Sequence, residues 1–108
     1  MKLRLEDNTL RLRLDPPEVT AFAAHGRLET VVPLGLAAAD QLSYTLERDA
    51  DASAVTVRHE TGRIRVLLPA AVADGWTSTE EVSLRGTTAV ADNQVLHILV
   101  EKDLGCKH

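Results

Sequence analysis

The first fourteen residues alternate between polar and apolar side chains, and this pattern constrains the fold more than any other feature of the chain. Residues 1–6 (MKLRLE) and 9–14 (TLRLRL) both follow the two-residue period of a half-buried β-strand. Asp7 and Asn8, which separate them, are typical of a two-residue turn because both residue types tolerate a positive φ. The sequence therefore predicts a β-hairpin here.

The turn length determines which residues of this hairpin lie opposite each other. A two-residue loop pairs Arg4 with Arg11, whereas a three-residue loop would mix the two faces. Four leucines then lie on one face (Leu3, Leu5, Leu10 and Leu12). Four cations lie on the other, termed the cationic hairpin face: Lys2, Arg4, Arg11 and Arg13. Because like charges across a ladder repel each other, this face requires an anion from elsewhere in the chain or from a ligand.

The cationic hairpin face is the first candidate binding site in the sequence. Guanidinium groups hold phosphate and carboxylate groups in a bidentate manner, which favours a small anionic ligand or an acidic protein segment. Alternatively, these side chains lie in water and pair loosely with carboxylates of neighbouring strands, an interaction that contributes about 0–1 kcal/mol. Charged residues on a first strand also discourage edge-to-edge aggregation. The carboxylates considered for such pairing are Glu47, Asp49, Glu101 and Asp103.

The rest of the chain reads as short strands and two helical segments. A helix is predicted over 16–25. Its start is indicated by Asp15, Pro16 and Glu18, and its end is indicated by Gly26. Strands are predicted at 27–34, 41–49, 54–60, 63–68, 82–86 and 94–100, and a short helix at 70–74 that ends at Gly75.

These elements predict one α+β domain over residues 1–108, with a mainly antiparallel sheet of seven or eight short strands and one or two short helices. Residues 94–100 (QVLHILV) are apolar on both faces, which indicates a central strand covered on both sides. No internal repeat is indicated, because the two hairpins with paired arginines differ in spacing and flanking sequence.

Composition disfavours several classes of partner. The chain has three aromatic residues and a net charge of −4, whereas nucleic-acid-binding modules stack bases on several aromatic rings or present a basic surface. The opening residues carry charges where a secretion signal is apolar, and no apolar run approaches the roughly 20 residues of a membrane span. The single cysteine excludes an internal disulfide and fits a reducing compartment. We therefore expect a cytoplasmic protein without nucleic-acid or membrane partners.

Residues that could bind a metal or carry out catalysis show no diagnostic spacing. The four histidines form no pair at metal-binding spacing, and His59 and His97 fall on apolar strand faces, so no metal or other cofactor is expected. No glycine-rich phosphate loop or nucleophile elbow is present. An enzymatic function would depend on Cys106. The neighbouring Lys107 and His108 would favour the reactive thiolate form of this residue.

Two motifs lie at the ends of the sequence. Residues 1–14 read Met-Lys-Leu-Arg-Leu-Glu-Asp-Asn-Thr-Leu-Arg-Leu-Arg-Leu, with a Glu-Val pair at 18–19, and residues 100–106 read Val-Glu-Lys-Asp-Leu-Gly-Cys. Both resemble a family of short uncharacterised bacterial proteins, a domain of unknown function, in which Phe is usual at the position of Leu104. The resemblance implies a bacterial, cytosolic single domain and transfers no activity. It groups the arginines of the first hairpin with Lys102, Asp103 and Cys106.

The sequence favours a small non-enzymatic cytosolic module that binds a protein or a small anionic ligand. A sheet edge or face could also join copies of the chain into a homo-oligomer. One alternative is a small enzyme that uses Cys106 with Lys102, Asp103 and the arginine cluster. Another is a structural subunit of a larger complex. If the first and last strands are neighbours, Glu101 or Asp103 would neutralise the arginines.

Overall fold

The computed structural model describes residues 1–105 of the chain. The elements follow in the order β1 (Lys2–Glu6), β2 (Thr9–Leu14), α1 (Pro16–His25), β3 (Arg27–Pro33), β4 (Gln41–Asp49), β5 (Thr56–Glu60), β6 (Arg63–Pro69), α2 (Ala70–Ser78), β7 (Ser83–Ala89), a 3₁₀ turn (Ala91–Asn93) and β8 (Val95–Lys102). Eight strands in two sheets, together with two helices, confirm the predicted α+β class.

Each sheet joins two hairpins. Sheet A has the strand order β1-β2-β8-β7 and sheet B the order β3-β4-β6-β5. In both sheets the outer pairings are antiparallel, while the central pairings, β2–β8 and β4–β6, are parallel. The sheets are therefore mixed, not purely antiparallel. The local sequence pattern could not show this, because the parallel partners are not consecutive strands.

The inner faces of both sheets and the two helices share one apolar cluster. The two helices contact each other through Phe22 and Trp76, whose rings meet edge to face with centroids 6.3 Å apart. Trp76 is fully buried, and its indole N–H donates to the carbonyl of Val82 at 3.0 Å. The two largest buried rings thus meet where the helices contact each other, and the one polar group they carry, the indole N–H, has a hydrogen-bond partner.

The first hairpin and α1 form as the sequence predicts. The ladder pairs Arg4 with Arg11, and Asp7 has a positive φ of 51° in the turn. Asp15 caps α1 by accepting from the Glu18 N–H at 2.9 Å, while the Glu18 carboxylate accepts from the Asp15 N–H at 3.0 Å. Gly26 ends the helix with a φ of 72°, a conformation that favours glycine.

The predicted end of α2 at Gly75 is wrong, because the helix continues to Ser78. Continuing the helix buries Trp76, which stabilises far more than the roughly 1 kcal/mol that an interior glycine costs. The helix ends where the hydroxyls of Thr77, Ser78 and Thr79 donate to carbonyls of the preceding turn.

The predicted cover on both sides of the last strand is also wrong. β8 is central in sheet A, but only its inner face is buried, as Ile98 and Val100 show. On its outer face Val95 and His97 are exposed. Neither helix lies over this outer face, so an apolar strand pattern here marks an uncovered surface.

The two halves of the chain repeat the same fold, contrary to the expectation of no repeat. The series β1-β2-α1-β3-β4 corresponds to β5-β6-α2-β7-β8. Arg4 and Arg11 are cross-strand partners in the first half. The residues 54 positions later, Arg58 and Arg65, are cross-strand partners in the second half. Each half contributes one hairpin to each sheet. Few residue types match at this offset, which is why the repeat is not evident in the sequence.

Backbone hydrogen bonds between the central strands are also related by the offset of 54 residues. The carbonyl of Asn8 accepts from the N–H of His97 at 2.7 Å in sheet A, and the carbonyl of Gly62 accepts from the N–H of Ser43 at 2.8 Å in sheet B. Sheet B therefore gives a matched internal comparison for every position of sheet A.

Candidate anion-binding face

The outer face of sheet A extends the cationic hairpin face onto two further strands. Arg4 on β1, Arg11 on β2, Leu99 on β8 and Arg85 on β7 lie side by side across the sheet. Neighbouring strands are about 4.8 Å apart, so the backbones of Arg11 and Arg85 lie roughly 10 Å apart on either side of Leu99. We term Arg4, Arg11 and Arg85 the arginine row.

Arg85 is the residue that sequence reasoning missed. The two-residue period of its strand places it on the outer face, but only the parallel pairing of β2 with β8 brings that strand near the first hairpin. A sequence pattern contains no signal for this long-range pairing.

Two carboxylates neutralise part of the cationic hairpin face. Glu101 accepts a hydrogen bond from Arg11, and its Oε1 lies 3.4 Å from Arg13 Nε. Asp103 lies 3.5 Å from Arg13 Nη2 and 3.7 Å from Lys2 Nζ. This is the arrangement expected if the first hairpin and the last strand are neighbours. Arg13 therefore belongs to an internal ion-pair network, whereas Lys2, whose side chain is 79% exposed, is held only weakly by it.

The charge of Asp103 is itself stabilised by its surroundings. The backbone N–H of Gly105 donates to its carboxylate at 3.1 Å. This hydrogen bond holds the pKa of Asp103 below its usual range, with Arg13 and Lys2 contributing and partial burial opposing. Asp103 thus remains an anion that supports the network near neutral pH.

Two members of the arginine row are much less neutralised. Arg4 lies 2.9 Å from Glu6, but both side chains are more than 60% exposed, at 62% and 63%, so this pair contributes little. Arg85 is exposed and forms no salt bridge within residues 1–105. Their guanidinium groups are accessible to an anion from solvent.

The arginine row borders two contiguous shallow depressions. One, of about 320 Å³, is lined by Arg4, Glu6, Asp7, Thr9, Arg11 and Leu99. The other, of about 520 Å³, is lined by Thr9, Arg85, Gly86, Thr87, His97, Ile98 and Leu99. Thr9 and Leu99 are common to both. The first depression is bordered by two arginines and two carboxylates, whereas in the second Arg85 is the one charged residue among the described lining residues.

The corresponding row of sheet B contains Arg58, Arg65, Thr45 and Glu29. Here an acidic residue occupies the position of Arg85. Arg65 donates to Glu47 through Nε at 3.0 Å and Nη2 at 2.9 Å, and to Glu60 at 3.0 Å. The Arg65 guanidinium lowers the pKa of Glu47 to about 2. The central arginine of sheet B is therefore fully engaged by the protein itself.

Charge balance separates the two outer faces. Sheet A, with the residues that adjoin its strands, carries five cations (Lys2, Arg4, Arg11, Arg13, Arg85) against four carboxylates (Glu6, Asp7, Glu101, Asp103). Sheet B carries four cations (Arg27, Arg58, Arg63, Arg65) against four carboxylates (Glu29, Glu47, Asp49, Glu60). The cationic excess lies on sheet A, although the chain as a whole has a net charge of −4.

The structure does not bring Lys102 and Asp103 together. Lys102 Nζ lies 5.6 Å from the centroid of the Trp76 ring and donates to the carbonyl of Thr79 at 2.8 Å. Asp103 lies on the opposite, outer side with Lys2 and Arg13. Cys106 lies outside the described residues.

The two histidines predicted on apolar strand faces share those faces with apolar residues, His59 with Ile64 and His97 with Leu99, but neither is buried. His97 lies on the outer face of β8 between Thr9 and Thr87, and His59 lies on the edge strand β5; both are exposed. His25 is exposed in the last turn of α1. Within residues 1–105, no three potential ligands among His, Cys, Asp and Glu lie close enough together to hold a metal ion.

Comparison with known proteins assigns the family. The sequence matches a family of unknown function, DUF7009, over residues 1–108. The chain belongs to this family. No curated protein and no solved structure matches the chain. In the part that the structure describes, no helix of this DUF7009 member is long and apolar enough to span a membrane.

Proposed function

We propose that this DUF7009 protein is a small non-enzymatic binding module that recognises an anionic group, a carboxylate or a phosphate, at the arginine row of sheet A. The observation that carries the proposal is the alignment of Arg4, Arg11 and Arg85 across one open face, around the depressions that meet at Leu99. The matched face of sheet B has Glu29 in place of Arg85 and has no cationic excess.

The ion pairs of sheet A support this role. Glu101 accepts from the Nε of Arg11 and so limits the rotamers of that side chain while other guanidinium donors remain. Preorganisation of this kind reduces the entropy lost when a ligand binds. Arg4 and Arg85 then supply charged donors on the two sides, and charge-assisted hydrogen bonds are about twice as strong as neutral ones.

The enzyme alternative has weaker support. It requires Lys102, Asp103 and Cys106 to act together, but Lys102 and Asp103 lie on opposite sides of β8. We also propose a bacterial cytosolic setting, which the single cysteine and the resemblance at both ends of the chain support.

Calorimetric titration with inorganic phosphate, pyrophosphate and citrate at low ionic strength tests the proposal. Arg85→Gln and Arg4→Gln should each weaken binding about tenfold, because each removes a charge-assisted hydrogen bond worth about 1.5–3 kcal/mol. Arg58→Gln, at the position of sheet B that matches Arg4, is the control and should leave the affinity unchanged. Native mass spectrometry of protein purified without added phosphate would also reveal a retained anion.

The affinities of the variants and the native mass give results that would contradict the proposal. Equal affinity for wild type, Arg85→Gln and Arg58→Gln would show that binding, if present, does not use the arginine row. No heat with any of the three anions, together with a ligand-free native mass, would contradict recognition of small anions. Thermal unfolding of each variant checks that the fold is retained.

A further inference from the structure

Strand β1 lies at the edge of sheet A, and the backbone N–H and C=O groups on its outer side have no strand partner in the described part of the chain. It pairs only with β2 in sheet A. With a two-residue turn, the hydrogen-bonded pairs of an antiparallel ladder are Glu6–Thr9 and Arg4–Arg11, so the N–H and C=O groups of Leu3 and Leu5 point away from β2. Outside this ladder, no backbone–backbone bond within residues 1–105 involves residues 2–6. Leu5 is 59% exposed.

The repeat shows that the equivalent edge in the second half is closed. β5, the counterpart of β1, contacts β7 through Thr56 and Thr88, whose hydroxyls lie 3.0 Å apart, and the N–H of Val57 donates to the Thr88 hydroxyl at 3.3 Å. Val55 approaches the backbone of Gly86 so closely that a Cβ at Gly86 would lie 2.6 Å from the Val55 carbonyl.

The first half lacks the residues that make this closure. Register matching places Thr30 at the position of Gly86 and Val32 at the position of Thr88. Thr30 has a Cβ where the closed edge has none, and Val32 has no hydroxyl to donate or accept. Within residues 1–105, no side-chain hydrogen bond joins β1 to β3; the Tyr44 hydroxyl reaches only the carbonyl of Met1, at 2.7 Å. The edge from Leu3 to Glu6 is therefore left open.

The charges along β1 select what can occupy this open edge. In an antiparallel pair of β1 strands from two copies, the register that overlaps all of Lys2–Glu6 places the two Arg4 side chains opposite each other, although each Lys2 then lies opposite a Glu6. The register that pairs Arg4 with Glu6 overlaps only residues 4–6, so a second copy uses the edge less completely than a fully complementary strand would. A strand with acidic residues opposite Lys2 and Arg4, and apolar residues opposite Leu3 and Leu5, would instead pair favourably on both faces. Lys2 and Arg4 are exposed and face outward, beside Arg13 and Arg11.

We propose that β1 accepts an extended segment of a partner protein in which acidic and apolar residues alternate, added antiparallel to the edge of sheet A. Backbone hydrogen bonds to Leu3 and Leu5 supply affinity, and the acidic side chains opposite Arg4 and Lys2 supply selectivity. This inference rests on the proposed function, since it names an acidic protein segment as the anion that the cationic face of sheet A recognises.

A labelled peptide with the core Lys-Val-Glu-Val-Glu tests the inference by fluorescence anisotropy. Read antiparallel to β1, its lysine lies opposite Glu6 and its glutamates lie opposite Arg4 and Lys2. The isomer Glu-Val-Lys-Val-Glu, which places lysine opposite Arg4, is the control peptide. The first peptide should bind at least about tenfold more tightly than its isomer, because a like-charge pair replaces an attractive one.

Protein variants locate the peptide. Arg4→Glu should reduce binding of the first peptide about tenfold and reverse the preference between the two peptides, whereas Arg58→Glu on β5 should change neither. Leu5→Pro removes an outward N–H without removing a bond to β2 and should also weaken binding. Should Leu5→Pro fail to fold, the reversal of preference by Arg4→Glu remains decisive.

Failure of this inference and failure of the proposed function give different results. Binding of citrate or pyrophosphate without peptide binding would overturn strand addition and leave the anion-binding function standing. Peptide binding that Arg85→Gln abolishes and Leu5→Pro does not affect would place the peptide across the arginine row, against the inference. A stable dimer that Leu5→Pro dissociates would assign the edge to a second copy, and absence of both activities would refute both proposals.

Discussion

The ion pair between Glu47 and Arg65 gives the sharpest stability prediction. Arg65 donates two hydrogen bonds to Glu47, at 2.9 and 3.0 Å, and the two side chains are only 15% and 25% exposed. The pKa of Glu47 falls from 4.5 to about 2, chiefly through these bonds. That difference corresponds to at most about 3 kcal/mol, and partial exposure reduces it to about 2 kcal/mol. Glu47→Gln should therefore lower the free energy of unfolding at pH 7 by about 2 kcal/mol.

The sign of the pH dependence follows from the direction of the shift. Because the folded pKa lies below the unfolded one, the stabilisation is present above about pH 4.5 and is lost as the pH falls toward 2. Urea unfolding between pH 7 and pH 2.5, followed by the emission of Trp76, measures it. Wild type and Glu47→Gln should differ most at neutral pH and converge in acid.

The second carboxylate on Arg65 provides the control. Glu60 also accepts from Arg65 at 3.0 Å, but its side chain is 48% exposed. Glu60→Gln should therefore cost only about 0–1 kcal/mol. A Glu47→Gln variant that loses less than Glu60→Gln, or whose difference from wild type does not shrink in acid, would refute the assignment of this stabilisation to the buried bidentate pair.

Two further changes probe the helix start and the closed edge. Asp15→Ala removes the capping box of α1 and should lower the free energy of unfolding by about 1 kcal/mol; Asp15→Ser should restore most of it, and equal loss in both variants would count against capping. Gly86→Ala places a Cβ 2.6 Å from the Val55 carbonyl and should cost about 1–3 kcal/mol in urea unfolding. Gly75→Ala, where the space is open, is its control and should not destabilise.

Local patterns predicted local structure well and long-range pairing poorly. The first hairpin register and α1 could be read from the sequence because the turn residues, the cap and the period of apolar residues lie within a few positions of each other. The extension of α2 past Gly75 depends on the contact of Trp76 with Phe22 from the other helix, which no local signal records.

In the candidate site, too, local positions could be predicted from the sequence and long-range contacts could not. The positions of Arg4 and Arg11 on one face follow from the hairpin alone, whereas Arg85 joins them only through the parallel pairing of β2 with β8. The carboxylates opposite the arginines could be named in advance only as candidates. The choice of Glu101 and Asp103 over Glu47 and Asp49 depends on which hairpins share a sheet.

The exchange of hairpins between the two halves has a consequence for how the chain folds during synthesis. Sheet B is assembled from β3 to β6, so all of its strands are available once residue 69 has left the ribosome. Sheet A joins the first hairpin to the last, with Thr9 paired to His97, and cannot close until β8 has emerged. Until then the inner leucines of the first hairpin have no sheet partner. The order of synthesis thus favours formation of sheet B before sheet A, whose closure needs the contact between the two ends of the chain.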